Sequence, residues 1–208
     1  MNAAAHIRVA RPDDRAAAYH VCLKTGDAGA DAEPLFAADP DALGRLFVGP
    51  YLAFEPELSL VLEDADGICG YTLGALDSRA FYARYDAEWR PDLIARHPAP
   101  TTAPATWTRV EQVYDWYRQE DHFCPEPYAE YPSHLHIDLL PRAQGRGLGR
   151  ELMSHLMDRL RERGSPGVHL GMWARNIRAH AFYTRLGFHE LARLGTPQDG
   201  SIYMGKAL

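Results

Sequence analysis

Cysteine and lysine are scarce in this chain, positive charge is in deficit, and no apolar run is long. The three cysteines, Cys22, Cys69 and Cys124, are widely spaced and form no C-x-x-C pair, which argues against a disulfide framework and against a cysteine-based zinc site. A reducing, cytoplasmic setting is the expectation. No stretch approaches the ~20 apolar residues of a membrane-spanning helix, and the opening MNAAAHIRVARPDDR meets charge before it builds an apolar segment, unlike a secretory leader. The 22 basic and 28 acidic side chains leave a formal net charge of -6. Nucleic acid, bound chiefly through clustered cations, is therefore a poor ligand, whereas a cationic amine suits an acidic surface. Only Lys24 and Lys206 are lysines and every other basic residue is arginine, a skew that fits the codon usage of a GC-rich bacterial genome.

What the chain does contain is an ordinary globular balance, 46% hydrophobic and 24% charged residues over 208 positions, enough for the core of one domain. HIRVA, at residues 6–10, alternates like a strand, and Pro12 with Asp13 and Asp14 opens a helix that runs to about Leu23. Between Leu35 and Phe54, prolines and glycines divide an apolar stretch into short helical pieces. Residues 58–63 and 68–76 are β-rich runs joined by DADG, the signal of a hairpin. The segment 78–133 carries half of the chain's aromatic residues. Helices are expected there over Arg79–Ala95 and Trp107–Glu120, separated by HPAPTTAP, as a helical insertion between the third and fourth strands. Its aromatics either pack the insertion onto the domain or, in part, line a pocket.

From His134 the pattern becomes regular: a strand (HLHIDLL), a glycine-rich turn, a helix, a strand (VHLGMWA), a helix and two closing strands. Leu148, Leu152, Met153, Leu156 and Leu160 recur at helical spacing, and Gly164 with Pro166 ends that helix. Strand, helix and strand in this order form an α/β unit.

Gln144-Gly145-Arg146-Gly147-Leu148-Gly149 lies between the strand and the start of that helix. Helix starts offer unpaired N–H groups and a partial positive charge, and glycine lets a phosphate approach the backbone. The loop is a candidate pyrophosphate site; a turn needed only for tight packing is the other reading. A dinucleotide fingerprint fails because Arg150 stands where the next glycine is required, and a Walker loop fails because no G-K-S/T follows. Period two puts His134, His136 and Asp138 on one strand face and Leu135, Ile137 and Leu139 on the other. An amine near pKa ~10.4 must lose a proton before it attacks. Asp138 is the first candidate base, with His136 as its relay or replacement and Glu63 as a weaker choice. The same H-x-H-x-D face has metal-ligand chemistry, yet no further ligand pattern recurs, and no metal is expected.

The Q-x-x-G-x-G run resembles the acyl-CoA pyrophosphate loop of the GNAT superfamily of N-acyltransferases. A second signature of that superfamily follows, Asn176-x-x-Ala179-x-x-Phe182-Tyr183-x-x-x-Gly187-Phe188, and Arg8-x-Ala10-x-x-x-Asp14 resembles its opening strand and helix. The likeness spans nearly the whole chain apart from segment 78–133. Within the superfamily, ELSLVLEDADGICGYTLGALDSRAFYARY, HLHIDLL and FYTRLGFHELA resemble the acetyltransferase-like C-terminal domain of animal O-GlcNAcases. That animal domain lacks a proper pyrophosphate loop, whereas this chain keeps Gln144, Gly147 and Gly149.

The resemblance implies the GNAT fold for a single domain over residues 1–208: an α/β architecture with a mixed, largely antiparallel twisted sheet flanked by helices. It implies acetyl-CoA as the acyl donor, with Gly145, Arg146, Gly147, Leu148, Gly149 and Arg150 at the pyrophosphate and Gln144 shaping the loop. Leu139 and Leu140 would pair through the main chain with the pantetheine arm where the fourth strand leaves the fifth, or serve as plain core. Asn176 matches a coenzyme A contact, or caps the following helix. Tyr183 matches the tyrosine that protonates the departing thiolate, a phenol near pKa ~10 facing a thiol near ~8.5, or is a core tyrosine.

The implied reaction is direct transfer of an acetyl group to a primary amine on a small molecule or a peptide. No nucleic acid or membrane partner is expected, and pairing of the two closing strands between copies would be the route to a homodimer. The competing reading is a non-catalytic acetyl-CoA-binding or protein-interaction module.

Overall fold

In the computed structural model, which describes residues 5–119, 122, 126, 128–196 and 200–208, seven strands form one open sheet. They are β1 (His6–Val9), β2 (Ser59–Asp64), β3 (Gly67–Ala75), β4 (Ser133–Leu139), β5 (Gly167–Trp173), β6 (His189–Leu194) and β7 (Ser201–Ala207). Their spatial order is β1-β2-β3-β4-β5-β7-β6. Every pair is antiparallel except β4 with β5. The expected hairpin is β2 and β3, turned by Ala65-Asp66 with Gly67 at φ +96, a backbone region that glycine enters without penalty. The register skips Cys69 between the pairs Glu63/Ile68 and Leu62/Gly70. β7 lies inside the sheet, so of the two closing strands only β6 has an open edge.

The helices are α1 (Arg15–Thr25), α2 (Ala42–Phe47), α3 (Gly49–Phe54), α4 (Ser78–Arg84), α5 (Arg90–Arg96), α6 (Arg109–Trp116), α7 (Leu148–Glu162) and α8 (Ile177–Arg185). The leucine stripe read from the sequence is the buried side of α7: Leu152, Met153, Leu156 and Leu160 are fully enclosed, while Leu148 is only half-buried. Gly74 of β3 admits this helix, since a Cβ there would lie 2.8 Å from Leu156. On the other face α1 packs on β3 and β4. Its entry is pinned by Arg8, whose guanidinium donates to both oxygens of Asp14 at 2.6 and 2.9 Å and to Glu63 at 2.7 Å. No helix among the described residues is long and apolar enough to cross a membrane.

The segment between β3 and β4 is helical: its first helical run matches the expected span to within a residue at each end, and its second is shorter than expected. Residues 79–95 form α4 and α5 with a wider turn, Tyr85–Trp89, between them. Pro91, which has no N–H to offer one turn back, follows just after that wider turn in an otherwise continuous helical run. The second helix is shorter than Trp107–Glu120. Thr108 and Glu111 cap each other's backbone N–H groups, so the helix begins at Arg109; Glu120, with Phe123 and Cys124, lies outside the described residues. Three aromatics fasten this segment to the α2 region: Trp89 Nε1 donates to the Arg45 carbonyl at 3.0 Å, the Tyr117 hydroxyl to the Ala42 carbonyl at 2.7 Å, and the Tyr114 hydroxyl to Asp39 at 2.8 Å.

Candidate active site

β4 and β5 pair only at Ser133/Val168 and His134/His169, after which they separate. The register also fixes which main-chain groups face the gap. Leu140 N–H donates to the Cys69 carbonyl at 2.8 Å and Gly70 faces Leu139, so Leu139 belongs to a non-hydrogen-bonded pair and directs its N–H and C=O away from β3. Ile137, two residues back, does the same. Leu140 fits the core reading of the two: its N–H is committed to Cys69, its carbonyl accepts from Ala143 at 2.9 Å, and its side chain is buried. Leu139 has the outward main chain, and Leu140 is core.

Beyond β4 the chain turns through Pro141–Ala143 into the glycine loop. Gly145 and Gly147 have φ of +73 and +81, and a Cβ on either would meet nothing within 4 Å, so both glycines serve the backbone path and the space above it stays open. The main-chain N–H groups of Gly145, Arg146, Gly147, Leu148 and Gly149 make no hydrogen bond among the described residues. Arg150 corrects the expected set, because its N–H already donates to the Gly147 carbonyl at 3.0 Å; only its exposed side chain remains to meet an anion. Gln144 ties the loop down, donating from Nε2 to the Leu139 carbonyl at 2.8 Å and accepting from Arg178 at 2.8 Å. A run of five unbonded donors at the start of a 15-residue helix fits a pyrophosphate.

The gap opens into a cleft of about 610 Å³. His136, Asp138, Asn176 and Tyr183 all line it, together with Tyr71's neighbours on α1 and the rings of Phe81, Tyr82 and Tyr85 from the insertion. Asp138 Oδ2 accepts from the Tyr71 hydroxyl at 2.5 Å and from His136 Nε2 at 3.0 Å, leaving Oδ1 without a partner among the described residues. The His136 ring is held between Phe47 and Tyr71, each centroid 5.7 Å away and nearly parallel. Tyr183 is buried, packs on Phe182 and Phe188, and its hydroxyl has no partner among the described residues. Burial, and then the Asp138 charge, push its pKa upward, so the phenol keeps its proton. Asn176 does cap α8, its Oδ1 accepting from the Ala179 N–H at 3.1 Å.

His134 is separated from the other two residues of its face: it is buried, and its Nδ1 lies 2.7 Å from Ser78 Oγ. The donor set that does converge is Cys22, His136 and Asp138, whose ligand atoms lie within 4.8 Å of one another. Burial, and then the Asp138 charge, push the Cys22 thiol pKa up, which opposes a nucleophilic role. Glu63 is corrected as a base candidate, since Arg8 holds it away at the β1–β2 ladder and it is absent from the cleft wall. Tyr71 was not legible as part of the site, because its place beside Asp138 follows from the β3–β4 register, which no local pattern encodes.

An open α/β sheet whose strands part beside a helix start with unbonded N–H groups is the frame of an acetyltransferase of the kind that the family comparison identifies. The chain belongs to the acetyltransferase (GNAT) family, whose model matches residues 31–188. It is similar to the crystal structure of SsHAT, with 41% identity and a TM-score of 0.87 over 98% of both chains. Protein O-GlcNAcase of Rattus norvegicus is 29% identical over 204 residues, 97% of this chain; the chain spans 22% of that relative's length. YncA of Salmonella typhimurium, solved with its cofactor acetyl-CoA, shares the fold at 19% identity and a TM-score of 0.57, over 99% of this chain and 94% of its own.

Proposed function

We propose that this protein transfers an acetyl group from acetyl-CoA directly to a primary amine. The observation that carries the reading is the divergence of β4 and β5 beyond His134 and His169, beside a helix start whose N–H groups are unbonded. Gly145, Arg146, Gly147, Leu148 and Gly149 would hold the pyrophosphate, and the outward main chain of Ile137 and Leu139 would hold the pantetheine arm. Bound there, acetyl-CoA supplies the activated thioester.

The remaining work falls to side chains of the cleft. Asp138 takes the proton of the attacking amine at Oδ1, while Tyr71 and His136 hold the carboxylate by Oδ2. Tyr183, kept protonated by burial, delivers a proton to the departing thiolate. Outward N–H groups of β4 are the donors available to polarise the thioester carbonyl, and the cleft keeps thioester and amine together.

Thiol release from acetyl-CoA in the presence of a panel of primary amines tests the reading. Asp138→Asn should lower turnover and flatten the pH–rate profile; an unchanged profile removes Asp138 as the base. The second reading is a module that binds acetyl-CoA without turnover, suggested by the resemblance to the O-GlcNAcase acetyltransferase-like domain, which is regarded as a pseudo-acetyltransferase; for it, binding persists and no amine releases thiol.

A further inference from the structure

Buried side-chain polar atoms without a partner are uncommon in folded proteins. Among the described residues there are three: Thr72 Oγ1, the Tyr85 hydroxyl and His134 Nε2. Thr72 lies off the cleft, whereas Tyr85 and His134 are both part of its wall and are each only 4% exposed.

Their hydrogen-bonding roles can be assigned. Ser78 Oγ has one hydrogen, which it donates to the Pro132 carbonyl at 2.8 Å. At 2.7 Å from His134 Nδ1 it therefore accepts, and Nδ1 carries the ring hydrogen. Burial keeps the imidazole neutral, so Nε2 is a bare acceptor. The Tyr85 hydroxyl is a donor that also accepts. Around them stand Tyr51, Phe81, Tyr82 and His122. The half-buried Tyr82 ring is stacked between His134 at 4.9 Å and His122 at 4.1 Å.

We propose that this insertion end of the cleft holds a neutral hydroxyl or primary amide on the body of the acceptor amine, through His134 Nε2 and the Tyr85 hydroxyl. The inference rests on the acetyl-transfer reading and specifies the acceptor. A bare alkyl group would leave both polar atoms orphaned. Among the described residues a second ammonium would find no free carboxylate beside Tyr85, since Asp86, its neighbour in sequence, is engaged by His122 at 2.9 Å and by Arg90 at 3.4 Å. Four residues of strand, about 13 Å at a rise of ~3.3 Å each, separate His134 from Asp138, so the polar group lies several bonds from the reacting nitrogen.

The test is calorimetric titration of ε-aminocaproamide and n-hexylamine into the protein, with and without coenzyme A. The amide should bind the wild type at least about tenfold more tightly than the alkylamine. Tyr85→Phe and His134→Phe should each narrow that gap and leave n-hexylamine unaffected; Tyr85→Phe removes one oxygen and decides the matter where the histidine variant does not fold. Equal affinities in the wild type, binding of neither amine, or an unchanged gap in Tyr85→Phe would overturn the proposal. Failure of the acetyl-transfer reading is a separate result: the amide binds selectively, and no thiol is released.

Discussion

Tyr71 and Asp138 are register partners across the β3–β4 ladder, and the Tyr71 hydroxyl donates to Asp138 Oδ2 at 2.5 Å. His136 reaches the same oxygen from its own strand at 3.0 Å, so one carboxylate oxygen is tethered twice and the other has no partner among the described residues. Tyr71→Phe should cost about 1–3 kcal/mol of stability through the lost charge-assisted bond. It should also lower kcat about tenfold through looser positioning of the carboxylate, with the KM for acetyl-CoA unchanged. Steady-state kinetics beside a urea melt read both effects, and an unaltered kcat would reduce the tether to a structural role.

Tyr183→Phe should lower turnover while leaving acetyl-CoA affinity nearly unchanged, as the hydroxyl matters only when the thiolate departs. Burial and then Asp138 raise the Tyr183 pKa above the usual phenol value of ~10. The wild-type rate should show no loss from its ionisation up to about pH 10. Equal turnover in wild type and mutant removes Tyr183 as the acid.

Acid sensitivity follows from the two buried histidines. Burial, and then the neighbouring His169, drive the His134 pKa well below the usual value, and burial also lowers that of His169. Above pH ~6.5 both groups are neutral folded or unfolded. As pH falls through that value the unfolded chain gains protons that the folded chain refuses, so stability present at neutral pH is lost on the acid side, by up to about 1.4 kcal/mol per pH unit per histidine. Melting temperatures measured from about pH 7 to about pH 5 should fall more steeply for the wild type than for His134→Gln. Parallel curves would show that His134 is not held neutral.

Elements with their own periodicity were legible in the sequence. The α7 stripe, the β2–β3 hairpin and the strand–helix–strand run after His134 all declare themselves locally, and the glycine loop with the Asn176–Phe188 signature carries the family likeness. Boundaries that depend on a cap were harder: Thr108 with Glu111 sets the start of one helix at Arg109. Tertiary pairing was out of reach. The tether from Tyr71, the removal of Glu63 by Arg8, the spent N–H groups of Leu140 and Arg150, and the tautomer that Ser78 imposes on His134 all depend on which strands and turns meet.

Calorimetric titration of acetyl-CoA into the wild type and into Gly147→Trp tests the central claim most directly. Gly147 sits at φ +81 in the middle of the unbonded N–H run, so an indole there both strains the turn and fills the approach to it. Saturable binding to the wild type, lost in a Gly147→Trp variant that remains folded, is the predicted result. Absence of binding to the folded wild type would contradict the account, leaving the loop as a structural turn and the cleft without its acyl donor.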